Sequence, residues 1–354
     1  MSDQYSQISA IFEDKLPQLS EAILVRQSVA PTELTEKFND IGRLRALQDI
    51  RAQLSFLSEA VATKSPSLFT DYVSWVKVLL SGRGIPVTDL AKNLSFTKDV
   101  LREMLPADLN HIVSAYLDLS INGLDEMPVD PPTHFTPDAP LADLARQYLE
   151  RLLQGERREA TRLIMDAVHS GTAVRDIYIH VFQRCQYEIG RLWQMNRINV
   201  AQEHYCSAAT QMIMAQLYPF VFSGPSKRRR LVATCVSGEL HEIGIRMVSD
   251  FLEMDGWDTY YLGASTPAAN VVQALRDNQA QVLALSATMT FHVRCVEELI
   301  RVVRATPDLA TVKIMVGGYP FNVDNELWRR VSADAYAGDA LEAIEVANRL
   351  VTGE

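Results

Sequence analysis

Apolar residues at Ile41, Leu44, Leu47, Ile50, Leu54, Leu57 and Val61 recur at steps of three and four, the spacing that lines one face of an α-helix. Leu68, Tyr72, Trp75, Val76 and Leu79 repeat the pattern in a second helix, which the loop around Gly82, Gly84 and Pro86 ends. Two more helices are expected near 87–105 and 107–122, with Ser95 and Asp99 as a capping signal. Residues 1–126 therefore read as an all-helical domain. Met127 to Pro140 carries prolines 128, 131, 132, 137 and 140, which forbid a continuous helix and favour an extended connector. Residues 141–226 are helical again and are expected to form a four-helix bundle. Within it Asn196–Asn199 breaks one helix, and Asn199 can cap the next with Gln202 as its reciprocal partner.

From Arg229 the pattern changes. Short apolar runs at Leu231–Val236, Thr259–Leu262, Val282–Ser286, Lys313–Val316 and Ala333–Ala337 alternate with amphipathic stretches near 242–255, 267–278, 291–305, 322–331 and 339–352. That alternation predicts a flavodoxin-like five-stranded parallel sheet with helices on both faces over residues 227–354. The fold class is multidomain, all-α followed by α/β. Ligands of such sheets sit beyond the carboxyl ends of the strands, so the loops after the first, third and fourth strands are the ones to inspect.

Composition narrows the function. The chain has 354 residues, too many for one ordinary core, and a net charge of −10. Residues 1–130 hold 12 Lys/Arg against 18 Asp/Glu, whereas a nucleic-acid-binding module needs a basic face. Direct nucleic acid binding is not expected. The one basic cluster, Lys227 to Arg230, precedes a strand and reads as a solvated loop. No apolar run is long enough to span a membrane, and the N-terminus lacks a basic segment followed by an apolar one. Cys185, Cys206, Cys235 and Cys295 lack CxxC spacing, which argues against a disulfide framework or zinc site and suits a reducing cytoplasm.

The chemistry gathers at the strand ends. After the first strand stands Ser237-Gly238-Glu239-Leu240-His241-Glu242-Ile243-Gly244, after the third Ser286-Ala287-Thr288, and after the fourth Gly317-Gly318. In this order they resemble the cobalamin-binding domain of methionine synthase, the mutases and the light-sensing regulators, which shows Asp-x-His-x-x-Gly, Ser-x-Leu or Ser-x-Thr, and Gly-Gly. The resemblance covers about 229–352, including Ala333 to Asp339 with Gly338. It implies a corrinoid cofactor held by Glu239, Leu240, His241, Gly244, Ser286, Thr288, Gly317, Gly318 and Gly338. His241 would be the lower axial ligand of cobalt once the dimethylbenzimidazole tail is displaced, with the neighbouring carboxylate fixing its tautomer. Gly244 would leave room for the tail, Ser286 would hydrogen-bond its base, and the glycine pair would admit it closely. Glu239 stands where that family has Asp.

The upper face falls to the bundle. Trp193 is followed, after nine residues, by Glu203-His204, a pattern that resembles the adenosylcobalamin photoreceptors of the CarH group. The resemblance, followed from Gly190 to Leu217, implies that Trp193 shields an adenosyl group and Glu203 binds its ribose hydroxyls, with His204 beside them. Gln194 stands where the DNA-binding members have a cobalt-capturing histidine, so His204, water or the more distant His180 are the candidates for that role. The acidic helical domain in place of a DNA-binding one is similar to the photocobilins, which carry biliverdin beside cobalamin, and to globin-like sensor domains. Tyr72, Trp75, Phe96 and His111 could line a bilin pocket and fit a plain helical core equally well. No cysteine precedes Cys185, so no thioether to a bilin is expected in this domain.

The expected function is a cytoplasmic light-sensing signalling protein that answers photolysis with a change of ligation and of quaternary structure. It would be a homo-oligomer acting on an unidentified output protein. The chain ends at Glu354 directly after the last expected helix, so no enzymatic output is expected. The alternative is the corrinoid carrier of a methyltransferase system. A mutase would need a barrel for its radical chemistry.

Overall fold

The computed structural model describes residues 4–29, 40–221 and 225–353. The side chain of Ile41 and residues 222–224, at the end of the expected bundle, lie outside the described residues. The chain divides into two compact units, Met1–Asp130 and Pro131–Glu354. The boundary falls inside the proline-rich stretch, and residues 131–140 go with the second unit.

The first unit is helical: α1 (Gln4–Val29), α2 (Asp40–Ala62), α3 (Pro66–Ser81), α4 (Val87–Met104) and α5 (Ala107–Asn122). Leu54, Leu57 and Val61 of α2 are buried as their spacing implies, together with Ile8, Phe12, Leu19 and Ile23 of α1. The sequence pattern does not single out α1. Ser9, Ser20 and Gln27 are buried on its inner face and Pro17 lies inside it, so its apolar stripe is broken. Ser95 caps nothing; it sits within α4, donating to Ala91 O at 2.9 Å. The buried Lys77 of α3 donates to Leu124 O and Met127 O, both at 2.6 Å, satisfying carbonyls that the end of the helical region leaves open.

The second unit begins with α6 (Ala142–Leu153), α7 (Arg157–His169) and α8 (Val174–Ile177). A π-helical turn (Tyr178–Gln183) then leads into α9 (Arg184–Gln194), and α10 (Val200–Gln216) and α11 (Tyr218–Val221) follow. Asn199 and Gln202 form the reciprocal capping box at the start of α10. The sheet follows as β1 (Arg230–Cys235), α12 (Ile243–Met254), β2 (Asp258–Gly263), α13 (Ala268–Asp277), β3 (Val282–Ser286), α14 (Val293–Arg304), β4 (Lys313–Gly317), α15 (Tyr319–Val323), α16 (Leu327–Arg330), β5 (Ala335–Tyr336) and α17 (Ala340–Thr352). The helix expected over 322–331 is two short ones, because the backbone at Asp324 is extended.

All strands pair in parallel in the order β2-β1-β3-β4-β5. The winding reverses between β1 and β3, which opens a crevice at their carboxyl ends. Cys235 pairs with Ser286, and Ser286 with Gly317, so the first, third and fourth strands end side by side.

Bundle and sheet share one core. Tyr148, Tyr178 and Phe182 pack with Met247 and Phe251 of α12 and with Ala340, and the rings of Tyr178 and Phe251 lie 6.0 Å apart. The Lys227–Arg230 cluster lies in the exposed connector expected before β1, with Lys227 and Arg228 exposed, and side chains of the cluster are nonetheless paired. Lys227 pairs with Asp255 at 2.6 Å, Arg229 bonds Asn348, and Arg230 donates to Gln279 at 2.8 Å. These residues fasten the start of β1.

Candidate functional site

The loop between β1 and α12 turns at Gly238, whose φ of +83° suits glycine. A side chain there would meet the His292 ring at 3.2 Å. The turn buries Glu239 completely while the His241 side chain stays 59% exposed. Glu239 Oε1 accepts from the His241 backbone N–H at 3.0 Å and sits 2.6 Å from His241 Nδ1. Its Oε2 accepts from the backbone N–H groups of Thr288 at 2.7 Å and Met289 at 3.0 Å, and lies 3.0 Å from His292 Nδ1. One carboxylate thus ties the loop after β1 to the loop after β3.

The electrostatics follow. Burial pushes the Glu239 carboxyl up, but the hydrogen bonds from His241, His292 and the backbone outweigh it and hold the group far below the usual carboxylate range. The His241 imidazole is raised, first by its bond to Glu239, against burial, and further by the charges of Glu239 and Glu203. With Nδ1 held, the exposed ring presents Nε2 as a ligand nitrogen.

This donor set fits a corrinoid, whose macrocycle needs a single axial imidazole from the protein. The space beside Gly244 is open, with nothing within 4 Å of where a side chain would begin. Ser286 is nearly buried at the end of β3, while Leu240 beside His241 is 73% exposed, an apolar side chain at the rim of the crevice.

The glycine pair has a cause within the fold itself. A side chain at Gly318 (φ +103°) would sit 2.1 Å from Ala287 O, and one at Gly317 would sit 2.9 Å from Ala337 O. Neighbouring backbone alone therefore demands both glycines. Gly338 donates its N–H to Glu342 Oε2 at 2.7 Å, and its carbonyl accepts from Asn322 at 3.2 Å.

On the bundle, Trp193 lies in the last turn of α9 and Glu203 in the first turn of α10. Glu203 contacts His204 Nδ1 and accepts from Ser207 at 2.9 Å. His180 belongs to the π turn and pairs with Arg184 at 3.1 Å. A recess of about 470 Å³ opens along α10, lined by His204, Ser207, Gln211, Met212 and Arg246 among others. In the first unit Tyr72 and Trp75 are part-buried on α3, Phe96 is part-buried on α4, and His111 is exposed on α5. Tyr72 stacks on Phe56 at 4.1 Å.

The residue that sequence reasoning missed is His292. It stands 53 positions beyond Glu239 and belongs to none of the motifs. Among the described residues no group of three or more His, Cys, Asp or Glu could hold a metal ion, and no helix is long and apolar enough to cross a membrane.

Known proteins match both the sheet and the bundle. Residues 229–346 match the B12 binding domain model, and residues 144–218 match a second B12 binding domain model. Dimethylamine corrinoid protein 1 of Methanosarcina mazei is 31% identical over 125 residues, 35% of this chain and 56% of that protein. Dimethylamine corrinoid protein 3 of the same organism is 30% identical over 130 residues, 36% of this chain and 76% of that protein. The HTH-type transcriptional repressor CarA of Myxococcus xanthus is 35% identical over 123 residues, 34% of this chain and 41% of that protein. The chain spans 56% of the first of these relatives. Among solved structures, the monomethylamine corrinoid protein of Methanosarcina barkeri aligns with a TM-score of 0.53 at 22% identity, covering 59% of this chain and 98% of that one. That likeness bears on the fold.

Proposed function

The chain belongs to the cobalamin-binding proteins, and from that premise we propose that it is a light-sensing signalling protein whose resident cofactor is adenosylcobalamin. The observation that carries this reading is the pair of adjoining helix ends on the bundle, with Trp193 in the last turn of α9 and Glu203 in the first turn of α10, an indole and a carboxylate of the kind a nucleoside calls for. Adenosylcobalamin, when bound, supplies a cobalt–carbon bond that visible light breaks. His241 would hold the cobalt from below, aimed by Glu239. Trp193 and Glu203 would hold the nucleoside above, an indole by stacking and a carboxylate by accepting hydroxyl protons. Leu240, Gly244, Ser286, Thr288 and Gly338 would line the corrin edge and the nucleotide tail.

The response is an altered interface, in a homo-oligomer or toward an output protein. The acidic first unit argues against direct nucleic acid binding. Biliverdin as a second pigment, near Tyr72 and Trp75, is part of the same reading. The likeness to the dimethylamine corrinoid proteins supports a second reading, a corrinoid carrier for methyl transfer. In both the chain is a carrier or regulator and not a catalyst.

The test is to load the full chain with adenosylcobalamin in the dark and follow its spectrum and mass under green light. A ligation change accompanied by a change in mass is expected. A photolysed cofactor with unaltered assembly would favour the carrier. A red-absorbing band that fails to appear with added biliverdin removes the second pigment.

A further inference from the structure

The proline-rich connector is fastened along α9. Glu188 Oε2 accepts from the Thr133 hydroxyl at 3.0 Å, the His134 N–H at 3.0 Å and Arg191 Nε at 3.1 Å. Its Oε1 accepts from Arg191 Nη2 at 2.7 Å. Arg191 donates in turn to Pro131 O at 3.1 Å, and Arg184 donates to Pro140 O at 3.0 Å. The rings of His134 and Tyr187 lie 5.3 Å apart. One helix therefore holds both ends of the stretch from Pro131 to Pro140.

The clasp decides how much chain is free. In the first unit Lys77 holds the carbonyl of Met127, and in the second Arg191 holds that of Pro131. A closed clasp leaves Pro128, Val129 and Asp130 between these anchors, about 14 Å of chain at full extension. An open one lengthens the tether to the start of α6 at Ala142, about 50 Å.

The chemistry suits a latch. The side chains of Arg191 and Glu188 are only 9% and 6% exposed. Taking two charges out of water is costly, and that cost is recovered when the connector lifts and water returns. A wholly apolar clasp would have no such offset. Phe135, packed against the bundle core, supplies the apolar contact that favours the closed state.

The latch stands behind the upper wall. Arg184, Glu188 and Arg191 share one face of α9 at steps of four and three. Trp193 follows two residues after Arg191, about 200° round the helix. Arg191 Nη1 also meets the sulfur of Met195 at 3.1 Å, at the cap of α9 where the turn toward Glu203 begins.

We infer that residues 131–140 are a latch governed by the upper site. With the upper ligand in place the connector is clasped to α9. Loss of the ligand shifts the end of α9, opens the Glu188–Arg191 clasp and lengthens the tether of the first unit. The inference rests on the adenosylcobalamin reading and deepens it by naming the regulated element.

Hydrogen–deuterium exchange of the full-length chain, read by mass spectrometry on the peptide spanning 131–141, tests this. The chain is loaded with adenosylcobalamin and compared in the dark and after green light, beside a chain loaded with hydroxocobalamin, which lacks the adenosyl group. Exchange should be at least about tenfold faster after light, and equally fast with hydroxocobalamin in dark and light. Thr133→Val removes one donor from the clasp at an exposed position. It should raise dark exchange toward the illuminated value while leaving the spectrum of the bound cofactor unchanged. A cofactor spectrum that light does not alter overturns the adenosylcobalamin reading and the inference with it. A ligation change with unaltered exchange over 131–141 overturns the inference alone. So does an increase shared equally by every peptide of the bundle, or dark exchange in Thr133→Val equal to that of the wild-type chain.

Discussion

The two walls of the proposed cofactor site are built differently. Below, Glu239 is fully buried and gathers His241, His292 and the backbone of Thr288 and Met289, so the imidazole can hardly turn. Above, Glu203 is part-exposed and its hydroxyl neighbour is shared with Gln186. A fixed lower wall suits permanent attachment. A loosely held upper wall suits a ligand that is lost and whose departure must be felt.

The largest expected effect comes from loosening the lower wall. Glu239→Gln places an amide NH₂ among groups that all donate, so a buried donor faces donors. A stability loss of about 3–5 kcal/mol is expected from breaking a buried charged network, with corrinoid affinity falling about 10–100-fold. Denaturant unfolding and cobalamin titration check both. Unchanged values would mean that the two walls do not differ in this way.

A second effect lies where the walls join. Tyr178 of the π turn donates to Asp250 of α12 at 2.8 Å. Burial pushes the Asp250 carboxyl from 3.8 up to about 6, against the Tyr178 hydrogen bond and the Arg246 charge. Because the folded value is raised, the favourable contribution is complete below pH 3.8 and is lost as pH rises through about 6. Asp250→Asn should therefore stabilise the chain by about 1–3 kcal/mol at pH 8 and by little near pH 4. Melting curves across that range measure it, and a pH-independent change would remove the junction from the account.

The smallest effect on the fold should come from the upper wall. Trp193 is part-exposed at a helix end, so Trp193→Ala should cost no more than about 1 kcal/mol of stability. Adenosylcobalamin should nonetheless be released or photolysed faster than from the wild-type chain. Stability and dark retention falling together would show that the indole is simply core.

Much of the fold was legible because β1, β3 and β4 are buried on both faces and read as largely apolar runs. The helix α1 was hidden by Ser9, Ser20, Gln27 and Pro17, which interrupt its apolar face. In the site, the pairing of Glu239 with His241 was visible from two-residue spacing. The other half of Glu239 was not, since Met289 and His292 come to it only when β3 lies beside β1. Gly317 and Gly318 were visible as a motif, but the close approach of the Ala287 and Ala337 backbone to them belongs to tertiary structure.

On the proposed reading a protein imidazole, His241, is the lower ligand of cobalt. Electron paramagnetic resonance of the chain loaded with paramagnetic cob(II)alamin tests it directly, because the axial nitrogen splits the cobalt lines. Protein grown with ¹⁵N-histidine should convert each triplet into a doublet, and His241→Ala should abolish that conversion. Triplets that persist in the labelled protein would show that the cofactor's own base holds the cobalt, and would contradict the account.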